Sequence, residues 1–200
     1  MLQRRLQSTS RSRSRCYVAR SIVRSGSLGV NDTDVITISA LRASVVCFLE
    51  GINGIQNQTK PVEIDGNRVG DLQLATVMWY KAATNAIDGA LTPEQRANTF
   101  ASSPAVWCAI GALGHDAFTE LAGEEFEKSV TPAAMEHAFK ALAESKLARV
   151  EWTRGPHWFS AGAKQSASGA ITLGGPKETG SLVHKALRDS ILLQRATVAA

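Results

Sequence analysis

Between Arg149 and Lys164 the chain sets cations and aromatic rings close together: Arg149, Trp152, Arg154, His157, Trp158, Phe159 and then Lys164. Aromatic faces interleaved with cations can stack bases and pair with phosphates. Tryptophan and arginine are equally the side chains that anchor protein interfaces, and a turn of this composition can simply pack its rings on a helical core. The acidic middle of the chain favours protein contact or core over nucleic acid here.

Other candidate groupings lack the spacing that their chemistry needs. His115-Asp116 pairs a base with a potential orienting carboxylate, but adjacent helical residues do not face each other, and Asp116 is better placed to cap a helix after Gly114. Glu120, Glu124, Glu125 and Glu127 make an acidic helix face with His137 further on, without the Glu-x-x-His pairs of a di-metal carboxylate site. Gly174-Gly175-Pro176-Lys177 misses the phosphate-loop spacing, and Pro176 lacks an amide donor. Cys16, Cys47 and Cys108 stand singly with no Cys-x-x-Cys; the last two lie in apolar runs and read as small core residues. No catalytic residue, cofactor or metal is expected.

The charge is unevenly spread. Residues 1–30 hold seven arginines (Arg4, Arg5, Arg11, Arg13, Arg15, Arg20 and Arg24) and no acid. Residues 31–139 carry a net charge of −8 and residues 140–200 a net charge of +5. The basic character therefore belongs to the two ends, and opposite signs on different segments suit docking among subunits. The longest nearly uncharged apolar stretch, 104–113, is too short to span a bilayer.

The Arg- and Ser-rich, acid-free N-terminus resembles a mitochondrial transit peptide. Met1-Leu2 with Arg4-Arg5 is similar to the start of such a segment, and Arg15-Cys16-Tyr17 resembles the Arg-x-Tyr pattern before a matrix processing cut after Tyr17. The rival reading is a basic arm that neutralises phosphates, as in viral coat proteins.

These residues are positioned by a mainly α fold: a compact multi-helix domain with a basic N-terminal arm and an irregular or short-hairpin segment near 149–180. Four regions are expected: arm (1–30), helical core (31–148), Trp/Arg hairpin or loop (149–180) and C-terminal helix (181–200). Asp32 or Thr33 is placed to cap a first helix with an apolar stripe of Val35, Ile38, Leu41, Val45, Phe48, Leu49 and Ile52. A loop over 53–70 is expected to hold a short hairpin around Asp65-Gly66. Asp71 is placed to cap a second helix with Leu72, Ala75, Met78, Trp79, Ala82, Ala83 and Ala86 on one face. Thr92-Pro93, Ser103-Pro104 and Thr131-Pro132 each put a hydroxyl before a helix-starting proline. They predict helices over about 92–101, 104–113 and 132–148, with another over 116–128. Residues 149–154 and 157–162 read as two short strands around Gly155-Pro156 or as an extended arm, residues 161–180 as a surface loop, and about 181–195 as a last helix.

The arm and the body together resemble the class of accessory subunits of respiratory complexes, ATP synthase or the mitochondrial ribosome. That resemblance implies a non-catalytic protein of the mitochondrial matrix or matrix side of the inner membrane, with other protein subunits as partners. The alternative is a self-assembling, RNA-binding coat or nucleocapsid protein of a virion. The third is a small enzyme whose site no motif marks.

Overall fold

The computed structural model describes Val23–Arg24 and residues 35–57, 62, 64, 66–123 and 128–193. Among the described residues its frame is six α-helices: α1 (Ile38–Glu50), α2 (Val69–Ile87), α3 (Pro93–Arg96), α4 (Pro104–Ala122), α5 (Pro132–Lys146) and α6 (Pro176–Arg188). Two short strand pairs complete it: β1 (Val23–Arg24) runs parallel to β2 (Ile36–Thr37), and β3 (Lys164–Gln165) antiparallel to β4 (Ile171–Thr172). The fold is mainly helical with a small hairpin near 149–180, as the periodicity requires.

Helix α1 starts later than Asp32 or Thr33 would set it. Thr37 is its cap, accepting a hydrogen bond from the Ala40 amide at 3.2 Å, because Ile36 and Thr37 are drawn into extended backbone beside β1. Its buried face also differs from the expected stripe. Ala40, Ala43, Ser44, Val46, Cys47 and Phe48 are inside, while Ile38 is half exposed. Close approach to α4 selects the small side chains of α1 rather than the large ones.

Gly114 does not end a helix, and α4 runs through it, as through Gly111, without a break. A Cβ on Gly111 would lie 2.1 Å from the Ser44 carbonyl oxygen, and one on Gly114 would lie 2.5 Å from the Trp79 ring. The two glycines are where α1 and α2 press against α4. The cap expected at Asp116 therefore does not exist; it sits within the helix.

Helix α2 begins at Val69, so Asp71 occupies its first turn instead of capping it. Its core face is close to expectation, with Leu72, Ala75, Trp79, Ala83 and Ile87 buried. Before it, Ile52–Asn57 and Gly66–Arg68 form 3-10 turns. The hairpin expected around Asp65-Gly66 falls partly outside the described residues, and Gly66 belongs to the second of these turns.

The three hydroxyl–proline starts all open helices, yet only Thr131 caps with its side chain, accepting from the Ala134 amide at 3.3 Å. Helix α3 is a single turn and stops well short of residue 101. The backbone beyond it is taken up by other pairing: the Phe100 amide donates to the Trp152 carbonyl, and Thr99 bridges Thr153. Residues 149–154 thus pair with that turn, not with a strand across Gly155-Pro156, and Val150 bridges Leu193. Pro156–Ala161 is a 3-10 helix. The hairpin lies later, inside the stretch expected to be a loop. Helix α6 starts at Pro176 after Gly175 and ends at Arg188.

Side chains from all of these parts share one main core, which includes Trp79, Trp107, Phe139, Trp158 and Leu187. Phe48, Phe118, Phe139 and Trp79 meet there, with the Trp79 and Phe139 rings edge to face at 5.6 Å. A small second cluster, Ala43, Cys47, Ile55, Cys108 and Ala112, lies along the α1–α4 crossing.

Candidate functional site

The Trp/Arg segment is fixed by backbone bonds on both sides. Phe100 N–H donates to Trp152 O, Arg154 N–H donates to Asn98 O, and Glu151 N–H donates to Leu192 O. In an extended run alternate side chains point to opposite faces, so Val150 and Trp152 turn inward and Arg149 and Thr153 outward. Trp158 is fully buried. Its ring lies 5.1 Å from Phe100 and 5.9 Å from Trp152, and its Nε1–H donates to the Glu151 carbonyl at 3.0 Å. Both tryptophan rings are core, with no face open to a base.

The outer half of the segment comprises Arg149, Arg154, His157, Phe159 and Lys164, all exposed. A ring nitrogen of His157, Nε2, is 2.9 Å from the Glu151 carbonyl oxygen. Arg154 is held more closely. Its guanidinium carbon stands 5.2 Å over the Phe100 ring centre, and its Nε–H donates to the Thr99 carbonyl at 3.2 Å. Beside it opens a cleft of about 400 Å³, lined by Thr37, Ala40, Thr99, Phe100, Ser102, Ser103, Pro104, Arg154, Thr172 and Leu173.

His115 and Asp116 diverge, as neighbouring helical residues must. His115 Nδ1 lies 2.9 Å from the Phe48 carbonyl oxygen, whereas Asp116 pairs with His184 of α6 at 2.7 Å. Sequence reasoning did not single out His184; its one signal was a polar residue inside the apolar stripe of the last helix. Glu120 and His137 are exposed, and Glu124, Glu125 and Glu127 lie outside the described residues. No group of three metal-ligating side chains occurs among the described residues. At Gly174–Lys177 the backbone is committed to α6: the Gly175 carbonyl accepts from the amides of Glu178 and Thr179. Of the arm, Arg4, Arg5, Arg11, Arg13, Arg15 and Arg20 lie outside the described residues, and Arg24 is described only through its backbone pairing with Thr37.

Two groups in the packing of α1 resist ionisation, the buried Cys47 and the partly buried Tyr80 of α2. The Cys47 thiol is pushed far above its ordinary value by its hydrogen bond with Cys108 and by burial. Burial likewise pushes the Tyr80 phenol up, against the opposing effect of its 2.6 Å hydrogen bond with Ser44. Both are neutral acids that keep their protons in the folded chain after the unfolded chain has lost them. Their contribution to stability is therefore complete below the ordinary thiol range and falls as pH rises above about 9, by about 1.4 kcal/mol per pH unit for each group once its unfolded form ionises. Thermal melts should hold steady up to that pH and fall beyond it. Tyr80→Phe should flatten the upper part of the fall; an unchanged slope would refute its share.

Apolar side chains are also left outside. On α2, Leu74 and Val77 share the outer face, opposite the core, at 39% and 60% exposure, and Val69 at the start of the helix is 47% exposed. Phe159 and Leu182 are exposed as well. No helix among the described residues is long and apolar enough to cross a membrane.

No protein-family model, no curated protein and no solved structure matches the chain.

Proposed function

We propose that this chain is a non-catalytic accessory subunit of a large mitochondrial assembly, of the kind found in respiratory complexes, ATP synthase or the mitochondrial ribosome, and that it acts by docking to other proteins. The observation that carries the reading is the outer face of α2. Two large apolar side chains, Leu74 and Val77, stand in solvent one turn apart on a helix whose other face already serves the core. Contiguous exposed apolar surface marks interaction sites. The acid-free arm supports the address, and the acidic middle beside basic ends supports electrostatic matching between subunits.

The test pairs two measurements on the native protein. N-terminal sequencing should find a start near Val18, and native gels of mitochondrial extract should show the chain in a large complex. Leu74→Asp with Val77→Asp should release it from the complex without unfolding it, because both positions face outward. A retained Met1 with co-purifying RNA, and an assembly that nuclease dissolves, would replace this reading with the coat-protein one. A monomer in extracts at native abundance would refute both.

A further inference from the structure

We propose that the cleft beside Arg154 binds a small organic oxyanion, a carboxylate or phosphate ester, with the charged group on the Arg154 guanidinium and the organic body against Phe100 and Leu173. This site is separate from the α2 face and does not depend on the docking reading.

Arg154 carries the argument. A free arginine side chain samples many rotamers, and ordering it on binding opposes affinity. Here the Phe100 ring supports the guanidinium plane at 5.2 Å and the Thr99 carbonyl holds Nε at 3.2 Å. Those two contacts use one donor and one face of the group. The terminal amino groups, the paired donors that recognise carboxylate and phosphate, remain for an occupant of the cleft that Arg154 lines. No Asp or Glu lines that cleft, so no resident carboxylate competes.

The remaining lining suits the same class of ligand. Ser102 and Ser103 line the cleft together with Arg154, and the Ser103 side chain makes no capping bond to α4. Phe100, Leu173 and Pro104 supply an apolar wall. A volume of about 400 Å³ falls in the range of small-molecule sites and exceeds what a bare phosphate fills. The first turns of α1 and α4 both border the cleft, and their backbone dipoles add to the preference for negative charge without being its basis.

The experiment titrates the full chain at constant ionic strength with inorganic phosphate, glycerol phosphate and succinate in turn, followed by calorimetry and by the NMR signal of the Arg154 Nε–H. At least one of the two organic probes should saturate with a dissociation constant of about 1 mM or below and move that signal, while inorganic phosphate binds at least about 10-fold more weakly. Whichever organic probe binds tells the phosphate ester from the carboxylate. Arg154→Gln should weaken binding about 10-fold or more, the loss of a charge-assisted pair. Ser102→Asp, which puts a carboxylate beside the guanidinium without removing its supports, should abolish binding and keeps the test decisive if Arg154→Gln melts early. Absence of saturation with both organic probes overturns the proposal, as does inorganic phosphate binding equally well. Binding that both variants leave within 2-fold of the parent overturns it too.

Discussion

Gly111→Ala should destabilise the protein by about 3 kcal/mol or more, although alanine is the better helix former by about 1 kcal/mol. The added methyl has nowhere to go. It would stand 2.1 Å from the Ser44 carbonyl oxygen, and backbone cannot swing aside as a side chain can. Helix α1 would have to move off α4, opening the cluster of Ala43, Cys47, Cys108 and Ala112 and breaking the hydrogen bond from the Ser44 hydroxyl to the Trp107 carbonyl. Gly70→Ala provides the control. It sits in the first turn of α2 with nothing within 4 Å of the new carbon, so the same substitution should there raise stability by about 0.5–1 kcal/mol. Urea unfolding of the two variants measures the contrast. Equal effects of one sign would show that α1 and α4 do not touch at Gly111.

Trp158→Ala should remove about 3–5 kcal/mol, a large part of the roughly 5–15 kcal/mol that holds a typical domain together. The ring is fully buried between Phe100 and Trp152, and its Nε1–H bond to Glu151 would go with it. The adjacent Phe159→Ser should change stability by less than about 0.5 kcal/mol, since that ring is 44% exposed. Urea midpoints for the pair separate a core tryptophan from a surface phenylalanine. A small loss at Trp158 would mean that the ring sits outside the core.

How far the chain could be read in advance differs from place to place. Thr131-Pro132 announced α5 and its cap because everything involved lies within four residues. The core face of α2 followed from periodicity, for the same local reason. Gly114 misled, because a glycine that breaks a helix and one that admits a neighbour look alike until Trp79 is known to lie opposite. The Trp/Arg cluster was found by composition, but which of its residues faced inward depended on pairing with Asn98 and Phe100, some fifty residues earlier. Arg154 was named among its cations; the ring beneath it and the cleft beside it were not visible, since Thr37, Ser103 and Thr172 come from three distant parts of the chain. The pairings of Cys47 with Cys108 and of Asp116 with His184 were hidden in the same way.

The Ser44–Trp107 hydrogen bond joins residues 63 positions apart, and that separation has a kinetic meaning. Closing so long a loop is entropically unfavourable before any packing compensates, and structures built on distant contacts fold more slowly than those built on near ones. Helix α1 buries Ala43 and Cys47 against Cys108 and Ala112 of α4, with Ile55 as the one cluster member close in sequence. Its backbone amides are thus coupled to the integrity of the whole core. The amides of α1 should therefore exchange with solvent together with those of α4, which native-state hydrogen exchange would check.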